Sequence, residues 1–180
     1  NLAPNAEYLF GTDWLGRDMF LRTLAGLSMS IRLGLLTATV SAGIALALGL
    51  LAAMGRTADL VVSGLIDLVM GIPHMLLLIL ISCACQKGFA GVAVGISLTH
   101  WPSLARLIRG EVLQLKESQY VKISSKLGMS RFKIACTHML PHLLPQFLTG
   151  LILMFPHAIL HEASITFLGF GLPPEEPAVG

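Results

Sequence analysis

The sequence predicts an all-α membrane protein, a polytopic bundle of helices, and three observations carry that prediction. Of the 180 residues, 54 % are hydrophobic and only 12 % are charged, with a mean hydropathy of +0.77, far from the balance of a soluble domain. Four stretches approach or exceed the roughly 20 apolar residues that a helix needs to cross a bilayer. The basic residues gather between two of these stretches instead of forming a phosphate-binding stripe, and a formal net charge of +2 is too small for a nucleic-acid partner.

A lead-in segment, 1–29, precedes a membrane domain, 30–180, whose predicted spans are 31–54, 60–85, 89–108 and 143–170. Gly34, Gly43 and Gly49 punctuate the first span, and small residues of this kind let helix backbones approach closely in lipid. Pro73, Pro102 and Pro156 fall inside the other three. Each removes an intrahelical hydrogen bond, so kinked spans around a cavity are expected. Arg106, Arg109, Lys116, Lys122, Lys126, Arg131 and Lys133 lie between the third and fourth spans, and Arg56 follows the first. That side is therefore read as cytoplasmic. Lys87, Arg17, Arg22 and Arg32 fall on the other side, with both ends of the sequence, and Asp13 and Asp18 partly offset them. The chain starts at Asn1 with no signal-peptide pattern ahead of its first span and stops after a Pro- and Glu-rich stretch, so it reads as a fragment. Cys83, Cys85 and Cys136 form no even disulfide framework, and the first two lie on nearly opposite sides of a helix. The absence of a long repeat leaves one bundle as the simplest organisation.

The loop at about 110–142 concentrates the polar character of the chain. Its amphipathic part, 117–141, places Gly128 thirteen residues before Pro141. A short helix, a glycine turn and a second helix would fit a partner's groove; the competing reading is a basic loop resting on anionic lipid.

Two motifs give this loop a context. Gly11-Thr12-Asp13 and Gly16-Arg17-Asp18 form a GTDxxGRD pattern ahead of the first span, and Gly128 is followed ten residues later by His138-Met139-Leu140-Pro141. On these residues the chain resembles the inner-membrane permease subunits of binding-protein-dependent, ATP-driven importers for dipeptides, oligopeptides and nickel. Phe167-Leu168-Gly169-Phe170-Gly171 and the Pro173-Pro174 pair resemble the end of that family's fifth span. One departure stands out: Lys122, Ile123 and Ser124 occupy the place of the family's E-A-A triplet, so a lysine replaces its acid. Asp13 and Asp18 are read as backbone caps and partners of Arg17 or Arg22, a structural role.

The resemblance implies a type I ABC importer permease in the cytoplasmic (inner) membrane, with four of an expected six spans in this sequence and one more on either side. It implies a cytoplasmic coupling loop in which Tyr120, Lys122, Ser124, Gly128, His138, Leu140 and Pro141 meet the motor. The implied partners are a second homologous permease subunit, two cytosolic ATP-binding subunits that use ATP and Mg, an extracytoplasmic solute-binding protein and membrane lipid. The chain itself would hold no cofactor.

Cargo is sought among polar groups inside the membrane, where an ionisable side chain is costly. His157 and His161 are four apart on one helical face, a spacing that lets two imidazoles meet one cation. Glu162 adjoins them, His74 follows Pro73, and His100 precedes Trp101-Pro102. The stretches 157–170 and 99–107 resemble the nickel-type permeases, which makes nickel, free or chelated, the expected cargo and short peptides the alternative. The competing role for a membrane histidine is an interhelical hydrogen bond. His138 and His142 belong to the loop. Methionines, among them Met54, Met70, Met75 and Met154, are read as gap-filling core. His161-Glu162 is not a zinc-protease motif, because Ile165 stands where its second histidine would be, and no G-x-x-x-x-G-K-[ST] phosphate loop is present. A non-transport membrane scaffold ranks lower, since it accounts for neither the polar loop nor the membrane histidines.

Overall fold

The computed structural model describes residues 2–173 and 175–178; Pro174 of the closing motif lies outside them. The lead-in folds back on itself before the first helix begins. Asp13 Oδ1 accepts the backbone N–H groups of Leu15 and Arg17, both at 2.9 Å, and its Oδ2 meets Arg17 Nε at 2.8 Å. The Arg17 backbone N–H, first among these contacts, holds the Asp13 carboxyl below its ordinary range. Asp18 then accepts the Phe20 N–H at 2.8 Å as the N-cap of α1, Met19–Leu51. The helix therefore starts well ahead of residue 31, where apolar composition alone placed the span.

A short 3-10 turn, Ala52–Met54, leads into α2, Arg56–Met70, which is followed by α3, His74–Ala84. The two are bent by 90° across Gly71, Ile72 and Pro73. Pro73 cannot continue a helical ladder, so the predicted span 60–85 is a broken element. α4, Gly88–Glu117, and α7, Leu140–Phe167, continue through their internal prolines Pro102, Pro145 and Pro156. Between them lie α5, Gln119–Lys126, the single turn α6, Arg131–Ile134, and a π turn, Ala135–Met139, that feeds α7.

α4 is the interior helix, packed against α1, α2, α3 and α7 and most extensively against α1. α1 turns inward a buried strip of small residues that includes Gly26, Ser30, Gly34, Ala38, Ser41, Ala42, Ala45 and Gly49; Gly34 and Ser30 face α7, while Ser41 and Gly49 face α4. Such a strip brings backbones close enough for dispersion and polar contacts to hold helices together where lipid removes the usual hydrophobic drive. A methyl group on Gly49 would run into Ile108 and one on Gly150 into Leu104, while Gly34 faces Phe155 and Ile159. Gly43 meets no described neighbour, so it is not one of the packing glycines. Ser41 Oγ also donates to Ser97 O across the α1–α4 contact at 3.0 Å.

Among the described residues, two helical stretches, Met19–Met54 and Arg131–Phe167, are long and apolar enough to cross a membrane, and the bent pair α2–α3 makes a third if it counts as one span. α4, which holds the predicted third span, is less apolar because His100, Trp101, Pro102 and Ser103 interrupt its run. Its surroundings explain this: fourteen of its residues between Gly91 and Leu115, Trp101 and Pro102 among them, are buried by protein, so lipid alone does not set its composition.

Charges tie the ends of α4. Arg109 grips Asp59 of α2 through two hydrogen bonds, 2.6 and 2.9 Å, and Arg106 reaches Asp67 at 2.8 Å. Both arginines counted with the loop thus belong to α4. Lys116 Nζ donates to Ala52 O at 2.9 Å, and burial pulls its ammonium below the ordinary lysine value. At the opposite end Lys87 donates to Gly169 O at 3.3 Å and lies 5.0 Å from the Phe170 ring centre, closing the α3–α4 turn onto the segment after α7.

Overpacking tests the α1–α4 contact. Gly49→Leu is expected to destabilise the detergent-solubilised protein by about 1–3 kcal/mol, read as a lower thermal midpoint, whereas Gly43→Leu leaves the midpoint nearly unchanged.

Candidate functional site

Three helices each send one histidine to the break between α2 and α3. His74 is the first residue of α3, His100 lies mid-way along α4, and His161 sits on α7. Their ring centres are 4.6 to 4.9 Å apart, and one nitrogen from each ring lies within 4.8 Å of the others. The sequence places His74 and His161 far apart; the turn at Pro73 is what brings α3 back to α7.

The hydrogen bonds fix the rings. His100 Nδ1 faces Ile96 O at 3.0 Å, and since a carbonyl only accepts, that nitrogen carries the proton and leaves Nε2 with a lone pair. His161 Nδ1 contacts the Met75 sulfur at 3.3 Å. His74 Nε2 and His100 Nε2 are buried and meet no hydrogen-bond partner among the described residues. Such atoms are costly in an apolar interior, which singles them out from histidines that merely bridge helices.

The rings border a cavity of about 540 Å³ lined also by Gly71, Pro73, Thr99, Ser103 and His157. On α4 and α7 this level divides two apolar clusters, one reaching Trp101 and Met154, the other Ile96 and Ala158. His157 therefore shares the cavity, but the histidines that converge are His74, His100 and His161, not the His157–His161 pair expected from spacing. Glu162 does not join them. It is fully buried, accepting Ser30 Oγ of α1 at 3.1 Å and Thr166 Oγ1 at 3.0 Å, and it fastens α7 to α1. Met75, read as core, is a neighbour of the cluster; its place after His74 was a weak signal for this.

The second polar feature is the elbow between α4 and α7. Gly128 turns the chain just after α5, its φ of +86° favouring glycine, and the N–H groups of Gly128 and Met129 bond back to Ser125 O and Ser124 O, both at 3.1 Å. Ser130 caps α6 through the Lys133 N–H at 3.3 Å. His138 reaches back to α5, its Nε2 3.1 Å from Ser124 Oγ and its ring 5.7 Å from that of Tyr120. Lys122, where the resembling family has an acid, pairs with Glu117 at 2.6 Å. Leu140 and Pro141 begin α7, where proline's missing N–H costs nothing. Arg131 Nη1 donates to Met54 O at 2.6 Å and anchors the elbow to the turn after α1. Spacing reasoning missed the apolar residues that this elbow exposes: Leu127 is 82 % and Phe132 70 % accessible, with Ile123 beside them on α5. Their position flanking Gly128 was the available signal.

A helical membrane bundle with a polar cavity at a broken helix and an exposed elbow at one end has the build of a membrane transport component. The chain belongs to the family described as the binding-protein-dependent transport system inner membrane component, which it matches over residues 45–180. A putative peptide transport system permease protein of Brucella suis is 37 % identical over 177 residues, 98 % of this chain and 60 % of the relative. The dipeptide transport system permease protein DppC of Bacillus subtilis is 34 % identical, covering 96 % of this chain and 54 % of its own length. The oligopeptide permease OppC of the same organism is also 34 % identical, covering 94 % and 56 %. The chain thus spans little more than half the length of these curated relatives. Among solved structures, an inward-facing MetNI methionine ABC transporter superposes with a TM-score of 0.74 at 18 % identity, over 86 % of this chain and 77 % of that one, which shows a shared fold.

Gly128→Val forces a β-branched residue into the left-handed region at a cost of about 1–2 kcal/mol. Protease cleavage of the elbow in membrane vesicles is expected to accelerate in this variant, and less so in Gly128→Asn.

Proposed function

We propose that the chain is a pathway-lining permease subunit of an ATP-driven importer in the cytoplasmic membrane. In this reading the elbow around Gly128 faces the cytoplasm and seats on an ATP-binding subunit, a second permease subunit completes the pathway, and an extracytoplasmic binding protein delivers the solute. Family membership supports the transport role, and the exposed Leu127 and Phe132 beside a rigid turn support the docking role, because apolar side chains of this size at a polar membrane face are usually covered by a partner. The basic cleft under the elbow, lined by Arg56, Lys116, Lys122, Lys126 and Arg131, fits the side that positive charge marks as cytoplasmic.

For cargo, the relatives described above favour short peptides over nickel, reversing the order taken from the sequence. Nickel remains a second reading for one reason: three histidines meet in the cavity, two of them, His74 and His100, with an orphaned nitrogen. A motor that closes beneath the elbow would move α7 directly and α4 through α5, and both helices carry cavity histidines. The break at Pro73 gives the third histidine its own hinge.

Uptake of a labelled dipeptide and of radioactive nickel, in cells with and without the subunit, tests both cargos. Dependence of either supports import, and independence of both removes the reading. Leu127→Asp with Phe132→Asp is expected to lower copurification of the ATP-binding subunit by about tenfold or more while membrane insertion is retained.

A further inference from the structure

We propose that His74, His100 and His161 form a three-imidazole site for a divalent first-row transition metal that arrives bound to an anionic chelator. The inference rests on the pathway role and names the chemical class of solute that the cavity selects. Donor geometry comes first. Corners of a triangle with 4.8 Å edges lie about 2.8 Å from its centre, against about 2.1 Å for a metal–imidazole bond. Ring movements of less than an ångström therefore close the three nitrogens on one ion. The bond from His100 Nδ1 to the Ile96 carbonyl also matches the usual support of a ligating histidine, whose remote nitrogen donates to a backbone oxygen and turns the other toward the metal.

Charge then selects the form of the metal. No aspartate, glutamate, lysine or arginine lines the cavity among the described residues. Three neutral imidazoles leave a divalent ion's charge uncompensated inside an apolar bundle, where an isolated charge is costly. A chelator bearing two carboxylates removes that charge. The cavity volume, about 540 Å³, accommodates such a molecule beside the metal. The opening turn of α3 adds to this preference: it borders the cavity at Pro73 and His74, carries no side-chain cap, and offers partial positive charge to a carboxylate. In binding, three metal-bound waters leave as three imidazole lone pairs take their places, with no change in oxidation state and no proton transferred. Amino-acid-like and peptide chelators carry this combination of amine and carboxylate donors, so a metal cargo and peptide-type relatives describe compatible solutes.

Nickel–iminodiacetate tests the site, because the chelator is dianionic and leaves three positions of an octahedral ion open. Equilibrium dialysis with radioactive nickel would use the full-length subunit purified with its companion subunits. Nickel–iminodiacetate is expected to bind, nickel chloride more weakly, and nickel–EDTA, with no open position, not at all. His74→Gln and His161→Gln are each expected to weaken binding about tenfold or more. Equal binding of nickel–EDTA, tighter binding of nickel chloride, or unchanged affinity in both variants would overturn the proposal. X-ray absorption of nickel bound to the unaltered protein gives a check independent of variant folding: imidazole scattering from three rings supports the site, and scattering from fewer than two rules it out. Binding-protein-stimulated ATP hydrolysis on the same preparation separates the two readings. Hydrolysis without metal binding overturns the histidine site and leaves the importer standing; metal binding without hydrolysis supports the site and counts against the importer.

Discussion

A helix that carries His100, Trp101, Pro102 and Ser103 in mid-course can sit within an apolar layer only if other helices cover it, and the enclosure of α4 is the constraint on which this molecule depends. Lipid offers no hydrogen bonds, so every polar group on α4 must find protein or a water-filled cavity. The small residues of α1 provide close cover along one side, with Gly49 against Ile108 and Ser41 against the Ser97 carbonyl. On the other sides α3 and α7 close over it, Gly150 admitting the Leu104 side chain. The cover is left incomplete at the level of His100, and the cavity opens there.

The same constraint accounts for the division of labour among the charged residues. Arg106 and Arg109 are spent on Asp67 and Asp59 of α2, so they set the position of the broken helix and with it the position of His74. Their exposure differs: the Arg109–Asp59 pair is mostly shielded and bidentate, while Arg106–Asp67 is open to solvent and contributes little. Lys116 and Arg131 instead bind backbone carbonyls at the end of α1. These two bonds occupy the carbonyls of Ala52 and Met54 at the turn after α1, and they fix the elbow to the bundle.

Much of this was legible in the sequence because lipid imposes a simple code. Composition gave the class, positive charge marked one face, Pro73 marked the break, and Gly128 marked the turn of the elbow. What stayed hidden depends on tertiary approach. His157 and His161 share a helical face, and spacing therefore paired them, but spacing says nothing of the helix that lies opposite. His74 joins His161 only because Pro73 turns α3 through a right angle. Glu162 adjoins His161 in sequence yet points to Ser30 of α1, since adjacent residues on a helix diverge by about 100°. The start of α1 was missed for a different reason: the Asp18 cap, not hydropathy, sets where the ladder begins.

The two polar features are joined by short covalent paths. The elbow is the direct continuation of α4 at one end and of α7 at the other, through a π turn in which the regular ladder is already relaxed. A displacement at Leu127 or Phe132 is therefore passed toward His100 along α4 and toward His161 along α7, while His74, beyond the Pro73 break, is tied to α4 through the ion pairs of α2 with Arg106 and Arg109. Movement of α7 relative to α4 changes the distances from His161 to His74 and His100. A three-donor cluster is sensitive to such a change, because metal–nitrogen bonds tolerate only a few tenths of an ångström. In the proposed transport role, a cluster whose third donor sits on a separate helix can come apart, which is what a site that must first hold a solute and then release it requires.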